Sequence, residues 1–270
     1  MGKNNNVQQQ KIKYRKANKE TPKKPNAETP SVSAASKKES NFNEAFSLNE
    51  PIKWTDAGAV FTVAVKTLSP VHLSSGQADV NVDSDVVHDR YGVPYFPAKR
   101  LKGLLYESAV EVKEMAEAAG MAFINQRMID ELFQHTESDL QMVVKDLRLQ
   151  GYEELKGDLA YLEERYPGYI RKEDVLQEFT SIRYQTAINK ESGTALKGSL
   201  RNIRIVDAGL EFFGEWEIKN AGKEHLKVLA LAMQNLSFAG GKRNRGFGQI
   251  SCAMAEQKQL VEQAMRKDAV

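Results

Sequence analysis

The sequence has a single cysteine, Cys252, in 270 residues, which excludes an intrachain disulfide and any zinc site built from several thiolates. Histidine is scarce too: His72, His88, His135 and His225 lie far apart and suggest no metal cluster. No apolar run approaches the roughly 18 residues that a membrane-spanning helix needs. The opening residues, MGKNNNVQQQ, lack the apolar stretch of a secretory leader. These absences point to a cytoplasmic protein without a membrane partner. Also missing are HExxH, GxSxG, GxxxxGK(S/T), a GxGxxG following a strand, and the aromatic-rich basic strand of an RRM signature, so ordinary cofactor enzymes find little support.

What is present is a globular composition with an uneven charge. Apolar residues make up 41% and charged residues 27%, enough for one large core or two small ones. The net charge is only +2, yet residues 1–40 hold ten Lys or Arg against three Glu. That stretch is rich in Asn, Gln, Lys and Pro and nearly devoid of large apolar residues. It cannot offset its own ordering entropy, and we expect a disordered basic tail over 1–50. Such a tail solubilises the chain or is drawn to a polyanion. Residues 107–178 run the other way, with 17 acidic and 8 basic side chains. A block of that sign would be repelled by phosphates and should face protein or solvent.

Order is expected from near Trp54. Residues 59–68 alternate, with Phe61, Val63 and Val65 on one face of a strand. From Leu101 the period becomes helical: Leu101, Leu104, Leu105, Ala109, Val112, Met115 and Ala116 share a face, with Glu107, Glu111 and Glu114 outside. Further helices are expected over 122–133, from Ser138 to a stop at Gly151 (burying Leu140, Val143, Val144 and Leu147), and over 152–165 before Pro167-Gly168. Strand character returns over 201–218, where Leu210, Phe212, Gly214, Trp216 and Ile218 alternate with Glu211, Phe213, Glu215 and Glu217. A helix over 222–236, a break at Gly240-Gly241 and a last strand complete the chain. The pattern predicts an α+β domain over 51–270 with an acidic helical insertion at about 107–180.

Two segments carry chemistry. Residues 69–106 combine His72, a Ser-Ser-Gly turn (Ser74, Ser75, Gly76), the carboxylates Asp79, Asp83, Asp85 and Asp89, and the cations Lys99, Arg100 and Lys102 at an expected helix start. Backbone N–H groups at a helix start favour an anion, and Arg and Lys would add to that attraction. Residues 240–248 (GGKRNRGFG) offer glycines for close backbone approach, with Lys242, Arg243 and Arg245 for charge. Spacing alone equally allows two solvated turns.

These segments resemble the RAMP superfamily of CRISPR-associated RNA-binding proteins, most of all the backbone subunits of type III effector complexes. Residues 67–76 (TLSPVHLSSG), 82–89 (VDSDVVHD), 92–103 (GVPYFPAKRLKG) and 240–248 carry the resemblance, in consistent order. A looser match over 182–212 is similar to the β-hairpin thumb that such subunits push between guide and target.

The resemblance implies a ferredoxin-like (RRM-like) core with that thumb. It further implies guide-RNA contacts at His72, Ser75, Gly76, Lys99, Arg100, Lys102, Arg183, Gly240, Gly241, Lys242, Arg243, Arg245 and Gly248. Asp83 aligns with the family's catalytic aspartate, and Asp85 would share a Mg²⁺ or Mn²⁺ with it. From the residues alone, Asp83–Asp89 could as well form a turn whose carboxylates bond their own backbone. The implied partners are guide RNA, complementary target RNA, other CRISPR effector subunits and further copies of the chain. Two alternatives stand beside a target-cutting subunit: a non-catalytic structural or capping subunit, and a guide-maturation endonuclease using a histidine such as His72.

Overall fold

The computed structural model describes residues 48, 50–79, 82–134 and 137–266. The tail expected over 1–50 lies almost wholly outside them, and so does His135. Two strands set the frame. Strand β2 (Gly58–Thr67) pairs antiparallel with β7 (Glu211–Lys219) over nine residues, from Gly58↔Lys219 to Lys66↔Glu211. Phe61 sits opposite Trp216, Val63 opposite Gly214 and Val65 opposite Phe212, so the alternation expected for both strands holds. Phe61, Trp216 and Phe212 are at most 3% exposed, and burying each such side chain contributes roughly 1.5–3 kcal/mol.

The outer side of β2 is shared by β1 (Lys53–Thr55) and β8 (Ile250–Met254). The outer side of β7 is shared by β3 (Gln141–Val143) and β4 (Arg148–Leu149), which completes a six-stranded antiparallel sheet. Helix α1 (Ala98–Ala118) packs its Leu101–Leu105–Ala109–Val112 stripe into the core beside α5 (Lys223–Asn235), where Ser108 Oγ donates to the Ala232 carbonyl at 2.8 Å. Met115, expected on the buried stripe, is 55% exposed.

The expected helix from Ser138 to Gly151 is absent. Its place is taken by β3 and β4, laid along β7. The apolar spacing fits a helix, but long-range bonds decide: Phe96 and Leu147 exchange both backbone hydrogen bonds at 2.9 Å, and Trp216 Nε1 donates to Lys145 O at 3.0 Å. Leu147, fully buried, lies where a Cβ on Gly214 would stand 3.1 Å from its Cγ. Tertiary partners here override local propensity. The acidic segment is therefore mixed. It begins within α1 and continues through α2 (Gln126–Phe133), the two short strands, α3 (Tyr152–Arg165) and α4 (Lys172–Phe179). Helix α2 is shorter than expected, its start fixed by Asn125, whose side chain accepts from Met128 N. Helix α6 (Gln257–Arg266) closes the described chain.

Residues 201–218 split into two strands. The turn at Gly209 (φ +89°) donates its N–H to Thr67 O. Before it, β6 (Arg201–Val206) leaves the main sheet and pairs with β5 (Thr180–Gln185) from Thr180↔Val206 to Gln185↔Arg201. This second, two-stranded sheet is an antiparallel hairpin. It meets the segment following β2 through bridges at Val71↔Val206 and Ser84↔Ile203.

Candidate nucleic-acid interface

The segment leaving β2 runs beside β6, and its polar residues bond into that strand. His72 is 7% exposed. Its Nδ1 lies 2.9 Å from Arg204 O, and a carbonyl can only accept, so the proton sits on Nδ1. Nε2 then accepts from Ser84 Oγ at 3.2 Å. Burial pushes this imidazole below its ordinary value, and nearby Lys242 and Arg100 push it the same way against the Arg204 bond. Both ring nitrogens are engaged, which leaves none for proton transfer to RNA.

The aspartates separate into three roles. Asp85 is 6% exposed; its Oδ1 accepts from Arg204 Nε at 2.9 Å and from Val86 N at 2.8 Å, and Arg204 is 3% exposed. A buried pair of this kind is architecture. The expectation that Asp85 is catalytic, sharing a metal with Asp83, does not survive this geometry. Asp89 ties its own turn, accepting at Oδ1 from Tyr91 N and Val93 N at 2.9 Å, while Oδ2 accepts from Tyr152 OH at 2.7 Å. Burial and that bond hold the Tyr152 phenol up at about 12. Asp83, like Asp79, is exposed. Its Oδ2 accepts from Asn202 N at 2.8 Å, and its own N–H donates to Asn202 Oδ1 at 2.8 Å.

Opposite this loop stands the glycine-rich segment. Gly240 has φ +78°, and a Cβ there would lie 2.7 Å from His72 O; Gly248 has φ +87°, and a Cβ would lie 2.2 Å from Ala239 O. Both positions accept no side chain, and Gly241 N donates to His72 O at 3.1 Å. The glycines thus bring the backbone against its own fold, which positions the cations between them. Lys242 Nζ and Arg245 Nη1 both donate to Gln185 Oε1, at 2.6 and 3.3 Å. Burial, then Arg245 and Arg201, hold the Lys242 ammonium below its ordinary range. Together the hairpin and this loop enclose a cleft of about 890 Å³. Among the described residues its lining holds Lys197, Arg201, Lys242, Arg243 and Arg245 and no carboxylate.

The remaining expected contacts are dispersed. Arg100 is exposed and donates from Nη2 to Ser74 O at 2.9 Å, beside the Ser75–Gly76 turn. Ser75 Oγ is held by Asp85 O at 3.1 Å, whereas Gly76 (φ +78°) has open space about it. Lys102 is half-buried, and that burial lowers its pKa. Lys99 points elsewhere, into a cleft with Tyr95, Asp146 and Arg148. The helix start does not wait for a phosphate, because Asp146 Oδ1 already accepts from Ala98 N at 2.8 Å. Arg183 is exposed on β5, two residues before Gln185 and so on the same strand face. Lys197, Arg201, Gln185 and Asn202 were not expected at the site. The Gln185↔Arg201 register is the signal that places them there.

The sequence pattern of the RAMP superfamily matches residues 64–251, more than half of the chain and the whole of this arrangement. The chain belongs to the RAMP superfamily. Among its relatives is "CRISPR system Cms endoribonuclease Csm3" of Methanocaldococcus jannaschii, 27% identical over 185 residues, which cover 62% of this chain and 66% of that protein. The fold of this RAMP protein matches a chain of the type III-B Cmr-beta complex bound to cognate target RNA, with a TM-score of 0.53 at 13% identity, covering 77% of this chain and 100% of that one. A chain of the apo Cmr-beta complex matches with a TM-score of 0.51 at 13% identity, covering 75% and 98%.

Proposed function

We propose that this RAMP protein is a guide-RNA-binding backbone subunit of a type III CRISPR effector complex, which cuts the bound target RNA at the Asp83 loop. The observation that carries RNA binding is the cleft between hairpin and glycine-rich loop, with five cations and no carboxylate among its described lining. A single-stranded backbone tracks such a groove. The core supports a ferredoxin-like reading: β8, β2 and β7 lie side by side with α1 and α5 packed together. The β5–β6 hairpin is the thumb. No helix among the described residues is long and apolar enough to cross a membrane, and the partners are guide RNA, complementary target RNA, other effector subunits and further copies of this chain, in the cytoplasm.

Cutting proceeds by in-line attack of the target's own 2′-OH. Asp83 is the group that positions or deprotonates that hydroxyl, and the cleft cations offset the charge that develops. Among the described residues no three or more His, Cys, Asp or Glu converge as a metal cage. Asp83, an exposed carboxylate, suits a Mg²⁺ or Mn²⁺ that takes its other ligands from RNA phosphates and water. A bound ion would supply charge neutralisation beside the phosphate. The maturation-nuclease alternative is disfavoured by His72, whose two ring nitrogens are both occupied in the interior.

The test is co-expression with the genomic neighbours, sequencing of the RNA that co-purifies, and cleavage of a complementary target. A short RNA of uniform 5′ end is expected. Cleavage should occur in Mg²⁺, stop in EDTA, and fall at least ~10²-fold in Asp83→Ala with target affinity retained. Wild-type cutting by Asp83→Ala would remove Asp83 from the cutting role.

A further inference from the structure

The Asp83 loop is fastened, residue by residue, to one strand of the hairpin. Asp83 and Asn202 exchange side-chain-to-main-chain hydrogen bonds at 2.8 Å in both directions, and Asp83 N also reaches Asn202 O at 3.1 Å. Ser84 follows, its carbonyl accepting from Arg204 N at 3.0 Å. Asp85 comes next, ion-paired to the Arg204 guanidinium. These contacts join residues 119 or 120 apart in sequence. Among the described residues the printed hydrogen bond to the Asp83 carboxylate comes from the hairpin strand, at Asn202 N; an exposed Asp would otherwise sample several staggered rotamers. The amide of Asn202 holds Oδ2, and the Asn202 side chain holds the N–H of the same aspartate.

We propose that Asn202 is the positioning residue for Asp83, so that the hairpin strand fixes where that carboxylate points. This rests on the reading of Asp83 as the cutting group. Two features single out asparagine. Its Oδ1 accepts from Asp83 N–H without adding a charge next to the carboxylate, and its place on β6 follows Arg201, which lines the basic cleft. An RNA that displaces the hairpin would therefore displace Asp83 as well. Cutting becomes conditional on the hairpin being seated, while guide binding in the cleft does not. Misplacement of a reacting group by about 1 Å lowers a rate by as much as ~10²-fold.

The experiment compares Asp83→Ala, Asn202→Ala and Asn202→Asp in the RNA-loaded effector complex, measuring guide content, target affinity, single-turnover cutting and its pH profile. Asn202→Ala keeps the main-chain N–H on Asp83 Oδ2 but removes the Oδ1 acceptor of Asp83 N–H, so it should keep guide and target and cut about 10-fold more slowly. Asn202→Asp keeps the acceptor for Asp83 N–H. It should recover part of the rate, because Asp83 N–H regains a side-chain acceptor. Wild-type rate and profile in both Asn202 variants, with cutting abolished in Asp83→Ala, overturn the positioning role and leave the cutting role intact. Loss of guide from both Asn202 variants also overturns it, since Asn202 would then serve the hairpin's folding. Undiminished cutting in Asp83→Ala removes the cutting role and this inference with it.

Discussion

Two clefts of this RAMP protein gather cations, and they differ in what accompanies them. The cleft between hairpin and glycine-rich loop holds five, with no carboxylate among its described lining. The cleft around Arg148 holds Lys99, Lys145 and Arg148, but these sit with Asp146, Glu153, Glu154 and Glu215. There Lys145 Nζ is 2.9 Å from Glu215 Oε1, and Asp146 serves the α1 start. Arg148 lies 4.6 Å and 5.0 Å from the ring centroids of Tyr95 and Tyr152, and its buried Nη1 has no hydrogen-bond partner among the described residues. The tyrosine faces stand in for the missing acceptor. The second cleft sets carboxylates among its cations, whereas the described lining of the first has none. Local excess, more than the number of basic side chains, distinguishes a polyanion site.

The comparison breaks most visibly at the glycines. Gly248→Ala places a Cβ 2.2 Å from a backbone carbonyl at φ +87°, while Gly151→Ala, at the second cleft, meets nothing within 4 Å at φ +74°. Denaturant unfolding should show a loss of about 2–3 kcal/mol for Gly248→Ala and about 1 kcal/mol for Gly151→Ala. Equal losses would mean that the first cleft is not built on that close approach. Charge removal comes next. Replacing Lys242 and Arg245 by alanine should flatten the dependence of single-stranded RNA affinity on salt, by about 0.7 in logarithmic slope for each phosphate that is no longer neutralised. The pair Lys99→Ala and Lys145→Ala should leave the slope unchanged. A matching change in both pairs would erase the distinction between the clefts.

The smallest effect concerns pH. His72 lies under the first cleft with its pKa lowered by burial from the ordinary 6.5. Between the two values the unfolded chain binds more protons than the folded one, so stability rises with pH there. The contribution is complete above pH 6.5 and is lost as pH falls toward the lower folded value. His72→Gln should remove that slope from thermal unfolding below pH 6.5; an unchanged slope would show that His72 is not its source.

Much of the fold was legible in the sequence where one periodicity ruled. Residues 59–67, 101–116 and 226–233 each bury the face that their spacing marks as apolar, Met115 excepted, because each packs against the core along nearly its whole length. The glycine-rich loop was legible because two of its glycines have no alternative. The segment 138–150 was not. Its spacing suits a helix, and only the edge of β7, some 70 residues away at Trp216, makes it strand. Asp83 and Asp85 could not be told apart for the same reason. They stand two positions apart, and their opposite environments come from Asn202 and Arg204 on a strand 119 positions later. Helix α4, only eight residues long, and α6, near the end of the chain, carry patterns too short to stand out.

The pairing of β3 and β4 with β7 also bears on anyone who would trim the acidic segment to make a minimal RNA-binding protein. Those two short strands occupy the outer edge of β7 at Lys219–Glu217 and at Phe213–Phe212. Their removal would bare a nine-residue strand whose free N–H and C=O groups are a template for pairing with another chain. The acidic segment thus acts as a guard against self-association. A shortened protein would be expected to precipitate before its RNA affinity could be compared.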